Sequence, residues 1–255
     1  MTIPWKLLLA VATLLALPAV GHADCGATSP PHTVALIELY TSEGCSSCPP
    51  ADRWLSRLDP RPESAVALSL HVDYWDRLGW KDRFASMAFT RRQYEQMRRQ
   101  GTAFVYTPQA LLQGRDWRWG MADESAAVAA INARPARAVI ELTADARGDK
   151  AAIEVHVSVP NTRDRADAAV AVALVQDGLV SNVRAGENSG QHLAHDHVVR
   201  QWRAGLPFDA NGEMRGRIAF ALPQEHGPVS IVALAENSTT GDILQVLALP
   251  LCSKN

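Results

Sequence analysis

Two cysteines separated by two residues, Cys45 and Cys48, constrain the fold of this chain more than any other feature of its sequence. The apolar run at residues 34–40 precedes them and predicts a strand buried on both faces. Pro49 and Pro50 follow, and proline is tolerated in the first turn of a helix, where the N–H groups have no helical partner. We therefore expect the pair at the start of a helix, where a thiolate is stabilised.

Strand-like and helix-like patterns alternate over the next stretch of chain, after the helix that follows Cys48. The resulting order, β-α-β-α-β-β-α, predicts an α/β domain. The further strands are predicted at residues 65–72 and 105–112 and around Trp117 and Trp119, and the further helices at residues 81–100 and 123–133.

The pattern changes after Arg134 and Pro135. Apolar and polar residues now alternate, turn residues separate the runs, and no helix is predicted. These features indicate an antiparallel β-sandwich-like domain at residues 134–252, following the α/β domain at residues 33–133. The predicted strands are residues 137–144, 151–159, 168–176, 195–203, 214–222, 229–236 and 243–249.

The first residues have the pattern of a secretory signal peptide, which we assign to residues 1–23. Lys6 precedes an apolar run at residues 7–20, and small residues occupy the expected cleavage positions. A membrane anchor is the alternative, but the run is shorter than the roughly 20 residues of a bilayer span. We therefore predict a periplasmic or secreted protein with no stable membrane span after processing.

The chain has four cysteines, and disulfides persist in the oxidising compartments that exported proteins reach. Several pairings are possible, and the most economical joins Cys45 to Cys48 and Cys25 to Cys252.

The composition is 47% hydrophobic and 20% charged, as in a folded globular protein, and the net charge is -2. This charge does not favour nucleic acid as a partner.

Residues 34–133 resemble a thioredoxin-like domain, and Thr107-Pro108 matches the cis-proline that packs beside the active disulfide there. The resemblance also implies that Glu38 is a buried acid that helps to deprotonate Cys48. The mature chain, including residues 41–45 and 186–190, resembles the uncharacterised bacterial family called domain of unknown function 1223, which implies the fold but no activity. Ser46 and Ser47 stand where thioredoxins have Gly-Pro, which leaves the redox direction open.

Our functional hypothesis is an exported thiol–disulfide oxidoreductase without a cofactor, acting on thiols and disulfides of other exported proteins. Cys45 is expected to be the more exposed and more acidic thiol and to act as the nucleophile. Cys48 would resolve the mixed disulfide, with Pro108 and Glu38 as the other catalytic residues.

The alternative is a non-enzymatic module that binds copper or a protein partner. Three histidines, His192, His195 and His197, lie within six residues, and imidazole is a common ligand of copper and zinc. Spacing alone does not orient ligands, so we favour the interpretation that these residues form local hydrogen bonds.

Overall fold

The computed structural model describes residues 25–58, 60–120 and 123–252, so the predicted signal peptide at residues 1–23 lies outside the described residues. The described part is mostly β-structure. Its strands are β1 (Cys25–Thr28), β2 (Ala35–Thr41), β3 (Ala65–His71), β4 (Gln109–Leu112), β5 (Arg115–Trp117), β6 (Val139–Arg147), β7 (Lys150–Ser158), β8 (Ala168–Gln176), β9 (Leu179–Asn182), β10 (His192–His195), β11 (Val198–Leu206), β12 (Glu213–Ala221), β13 (Val229–Asn237) and β14 (Ile243–Pro250). The helices are α1 (Pro49–Arg57), α2 (Met87–Arg99), α3 (Glu124–Asn132) and the single turn α4 (Thr162–Arg165), with a 3-10 turn at Asp76–Leu78.

An eight-stranded mixed sheet, in the order β14-β13-β8-β11-β3-β2-β4-β5, forms the centre of the fold. β2 and β3 are parallel and joined by α1, and β4 and β5 extend this unit antiparallel beyond β2. On the other side, β11 joins β3 through the parallel bridge Val198↔Ser69, and β8, β13 and β14 continue the sheet. The sheet therefore runs without a break from the first half of the chain into the second.

A second sheet, in the order β1-β6-β7-β12, packs over part of the first, and β9 and β10 form a separate pair. β8 lies between two cores because its side chains alternate. Val172 and Leu174 face the second sheet, whereas Ala173 and Val175 face the side of the large sheet that α2 covers. The other face of β2 packs against α1, where Ile37 contacts the cluster of that helix.

The prediction of a thioredoxin-like α/β domain followed by a separate β-sandwich-like domain is wrong. Four strands that come after residue 134 (β8, β11, β13 and β14) belong to the same sheet as β2 and β3. A β-α-β unit leaves the outer edge of β3 unpaired, and β11 covers part of that edge. Hydrophobic periodicity indicated that residues 168–176 and 229–236 form strands, but it does not indicate which strand lies beside them.

The predicted element order from β2 to α3 is confirmed, with shifts at some boundaries. Helix α2 begins at Met87 instead of residue 81, because the Ser86 hydroxyl caps it by accepting the Ala88 N–H at 3.2 Å. β4 begins at Gln109 instead of residue 105. β1 forms where no strand was predicted, because it pairs with β6 far along the chain.

The pairing of Cys25 with Cys252 is confirmed, with their Cα atoms 6.0 Å apart. This terminal disulfide joins β1 to the segment that follows β14.

Of the helices in the described ranges, none is long and apolar enough to cross a bilayer.

Candidate functional site

The second disulfide, between Cys45 and Cys48, lies in the loop that joins β2 to α1, and its Cα atoms are 5.4 Å apart. Residues 42–48 are called the cysteine loop below. Cys48 is the N-cap residue of α1, and its carbonyl oxygen accepts the N–H groups of Ala51 at 2.9 Å and Asp52 at 3.1 Å. The predicted position of the pair, between a buried strand and the first turn of a helix, is confirmed.

Both cysteines are fully buried in the disulfide, each with 0% exposure, while Ser46 and Ser47 between them are exposed. The prediction that Cys45 is the more exposed sulfur is therefore wrong for the disulfide form. The Cys45 sulfur lies 3.3 Å from the Ser47 hydroxyl oxygen and 3.8 Å from the Thr107 carbonyl oxygen.

The Thr107–Pro108 peptide bond is cis, as expected, and its segment lies against Cys45. The Trp75 indole N–H donates to the Thr107 hydroxyl at 2.8 Å, which fixes this segment beside the disulfide. The structure thus brings Cys45, Cys48 and the Pro108 segment together. Their catalytic roles stay predictions.

Glu38 is not brought to the cysteines. Side chains alternate along β2, so Ile37 and Leu39 pack with α1, and Glu38 points to the α2 side of the sheet. There its carboxylate accepts Arg92 Nε at 2.6 Å. Arg92 also donates to both carboxylate oxygens of Glu236, at 3.2 and 2.9 Å. Although burial lowers the pKa of Arg92, the two carboxylates outweigh burial and raise it. Glu38 is therefore one member of a buried ion-pair network.

Asp52 is a buried acid in the first turn of α1 and was not among the site residues predicted from the sequence. It lies one helical turn after Cys48 on α1, is 7% exposed, and donates its N–H to the Cys48 carbonyl oxygen. Its Oδ1 atom has no hydrogen-bond partner in the described part of the chain. Burial raises the pKa of this carboxyl, although His195 and His71 partly oppose the shift. The spacing of four residues from Cys48 on a helix was the available signal.

A set of buried ionisable side chains lies around Asp52, and we call it the buried polar cluster: Glu43, Asp52, His71, Asp82 and His195. His71 Nδ1 lies 2.7 Å from Asp82 Oδ2, His195 Nε2 lies 3.4 Å from Glu43 Oε1, and the two imidazole rings are 5.1 Å apart. Burial lowers the pKa of His71, but Asp82 outweighs it and raises the pKa above its ordinary value. Buried groups of this kind are paired or take part in proton transfer.

The three histidines do not converge on one point. His192 is exposed and bonds Asn182 at 2.6 Å, His195 belongs to the buried polar cluster, and His197 lies 3.3 Å from Asp177. His192 and His195 point to opposite sides of β10, which follows from strand alternation. Within residues 25–58, 60–120 and 123–252, no group of three or more His, Cys, Asp or Glu side chains is placed to hold a metal ion.

The loop between β9 and β10 reaches the cysteine loop from the second half of the chain. Asn188 is buried, and its amide donates to the carbonyl oxygens of Glu43 at 2.8 Å and Cys45 at 2.9 Å. The carboxylate of Glu187 binds Ser46. The sequence had marked residues 186–190 only for their resemblance to a family, because no local pattern indicates a contact across more than a hundred residues.

Fold and site together define a mixed-sheet protein with a disulfide-forming Cys-x-x-Cys pair at the start of a helix. The chain belongs to the family described as protein of unknown function, DUF1223, whose sequence pattern matches residues 36–234. The comparison with curated proteins gave no match.

Two solved structures are similar to this one. Protein AGR_C_4864 from Agrobacterium tumefaciens is 28% identical, with a TM-score of 0.59 over 89% of this chain and 98% of that one. HBP35 of Porphyromonas gingivalis is 13% identical, with a TM-score of 0.62 over 86% of this chain and 76% of that one. The second likeness concerns the fold alone.

Proposed function

We propose that this protein is an exported thiol–disulfide oxidoreductase whose active pair is Cys45 and Cys48. The observation that carries the proposal is the disulfide at the start of α1 with the buried carboxylate of Asp52 one turn further along the helix. The positive end of the helix dipole lies at the start of α1 and favours a thiolate there. Asp52, one helical turn after Cys48, is our candidate for the proton acceptor, the role that the resemblance to thioredoxin-like domains implied for Glu38.

In the first step, the Cys45 thiolate attacks a disulfide of the substrate. A bond forms between the Cys45 sulfur and one substrate sulfur, the substrate S–S bond breaks, and the other substrate sulfur leaves as a thiolate. Ser46 and Ser47 are the exposed part of the cysteine loop, and we propose that the substrate reaches the buried pair from this side.

In the second step, Asp52 accepts the proton of the Cys48 thiol, and the resulting thiolate attacks the Cys45 sulfur. The Cys45–Cys48 bond forms, the mixed disulfide breaks, and the second substrate sulfur leaves as a thiolate. The substrate gains two electrons and the protein pair loses two. The same steps in reverse transfer the protein disulfide to a substrate dithiol.

Export agrees with the two disulfides, because such bonds persist outside the reducing cytosol. The substrates we propose are thiols and disulfides of other exported proteins. The proposed reaction uses no metal ion. His192, His195 and His197 each have a different partner and do not converge on one point.

The proposal is tested with glutathione disulfide as the probe and mass spectrometry as the readout. Reduced Cys48→Ser protein should form a stable mixed disulfide with glutathione at Cys45, because the resolving thiol is absent. Wild-type protein should instead return to the internal disulfide. The terminal disulfide stays intact in both proteins.

The matched variant is Cys45→Ser, which keeps Cys48 but should form little adduct. An adduct that forms faster on Cys48 than on Cys45 would reverse the assigned roles. If neither variant reacts faster than a free thiol of ordinary pKa, the pair is a structural disulfide and the proposal is wrong.

A further inference from the structure

The carboxylate of Glu187 binds Ser46, one of the two residues that separate the cysteines. Glu187 Oε2 accepts both the N–H of Ser46 at 3.0 Å and its hydroxyl at 2.7 Å. These two bonds, first the hydroxyl and then the N–H, lower the pKa of the Glu187 carboxyl, so that the group is anionic at neutral pH. A negative charge from the second half of the chain therefore lies beside Cys45.

The backbone around Glu187 is held in place by its own hydrogen bonds. Residues 183–191 form a closed loop, in which the N–H of Gly190 binds the Val183 carbonyl oxygen at 2.8 Å. Gly186 has a φ of +72°, and a Cβ there would lie 3.3 Å from the Cβ of Trp80. Asn188 fixes the loop to Glu43 and Cys45. The position of the Glu187 carboxylate is thus set by the fold, although its side chain is exposed.

The N–H groups at the start of a helix carry partial positive charge and stabilise a nearby thiolate. Ser46 precedes α1, and its N–H, the first after Cys45, already donates to the Glu187 carboxylate, so it is not available to the Cys45 sulfur. The same carboxylate repels a negative charge on the Cys45 sulfur. Both effects act against the reduced, thiolate form and favour the disulfide.

We propose that Glu187 is a positioning residue that makes the Cys45 thiolate less stable and so lowers the reduction potential of the Cys45–Cys48 pair. This inference rests on the proposed function, because it assigns a regulator to the same pair. A disulfide is a stronger oxidant when its reduced form is more stable. Because Glu187 makes the reduced form less stable, the Cys45–Cys48 disulfide should be a weaker oxidant with Glu187 than without it.

The test replaces Glu187 by glutamine, which keeps a hydrogen-bond acceptor for Ser46 but removes the charge. In glutathione redox buffers, the equilibrium constant of Glu187→Gln should shift toward the dithiol by about two- to fivefold, the range for a single charge at a helix end. The pH midpoint of Cys45 alkylation by iodoacetamide should fall. Both shifts should shrink at high salt, which screens an exposed charge.

Glu154→Gln is the matched control, because Glu154 is also exposed but lies on β7 in the other sheet. It should leave both quantities unchanged. A Glu187→Gln protein with the wild-type potential and alkylation midpoint, or with a lower potential, would overturn the inference.

These measurements need no substrate, so they separate the two proposals. If Cys48→Ser forms no glutathione adduct but Glu187→Gln still shifts the equilibrium, the proposed function fails and the role of Glu187 stands. A Cys45–Cys48 disulfide that excess dithiothreitol leaves intact in both proteins would overturn both.

Discussion

Among single residues, Glu38 and Asp52 differ in how well each suits the proposed role of proton acceptor for the cysteines. Both side chains are buried, but the carboxylate of Glu38 is matched by the guanidinium of Arg92. Asp52 has no cationic partner of that kind at bonding distance among the described residues, and burial raises its pKa. A buried carboxyl with a raised pKa takes up a proton more readily than an ordinary Asp does, which suits the proposed role of proton acceptor.

We therefore predict that Asp52→Asn slows the second step of the proposed reaction. The measured quantity is the rate at which a Cys45–glutathione mixed disulfide converts to the Cys45–Cys48 disulfide. The rate should fall about 100-fold or more, the usual contribution of a positioned acid or base. The wild-type rate should rise with pH above the ordinary range for Asp, because the pKa is raised, and the variant should lose this rise.

Glu38→Gln serves as the comparison for that prediction. It should lower the free energy of unfolding by about 1–3 kcal/mol, because part of the bonding of a buried guanidinium is lost. It should leave the rate of the second step unchanged. Equal rates and pH profiles for wild type and Asp52→Asn would contradict the role of Asp52.

The site could be predicted in part. The motif and its prolines indicated the start of α1, and the resemblance implied the cis bond before Pro108. The acid was placed wrongly because the resemblance pointed to β2, where alternation turns Glu38 away from α1. Glu187 could not be found, because it meets Ser46 only through tertiary folding.

At the scale of elements, a histidine links three neighbouring strands of the second sheet. His156 on β7 lies 2.8 Å from Glu141 on β6 and 2.5 Å from Glu213 on β12. The bonds to Glu213 and Glu141 raise the pKa of His156 above 6.5. A raised pKa means that the folded state binds the proton more tightly than the unfolded state does.

The stability that His156 contributes should therefore be complete below about pH 6.5 and lost as the pH rises through the raised folded-state pKa. We predict that His156→Gln lowers the free energy of unfolding by about 0.5–1 kcal/mol at low pH, as for partly exposed ion pairs. Near pH 9 the variant and wild type should differ less. Urea unfolding at the two pH values checks this, and a larger difference at high pH would contradict it.

The strands themselves were largely predictable, since alternating or continuous apolar runs marked β2, β3 and most strands after residue 134. Their arrangement was not. A continuous apolar sequence such as that of β8 fits the centre of any sheet that is covered on both faces. Its pairing with β11 and β13 depends on contacts between residues far apart in the sequence, which the local pattern does not indicate.

At the scale of the whole molecule, the eight-stranded sheet makes the site depend on both halves of the chain. Cys45 and Asp52 come from the first half, and Glu187, Asn188 and His195 come from the second. The terminal disulfide joins the two ends of the folded chain. We interpret it as structural and the Cys45–Cys48 disulfide as the reactive one, although both form in the same protein.

A reactive Cys45–Cys48 disulfide is distinguished from a structural one by reducing the folded, wild-type protein in redox buffers of defined potential and assigning each disulfide by mass spectrometry. We predict that Cys45–Cys48 is reduced first, at a potential between about -120 and -270 mV, the range of dedicated redox proteins, while Cys25–Cys252 stays oxidised. A Cys45–Cys48 pair that resists reduction to below about -300 mV, as structural disulfides do, would contradict it.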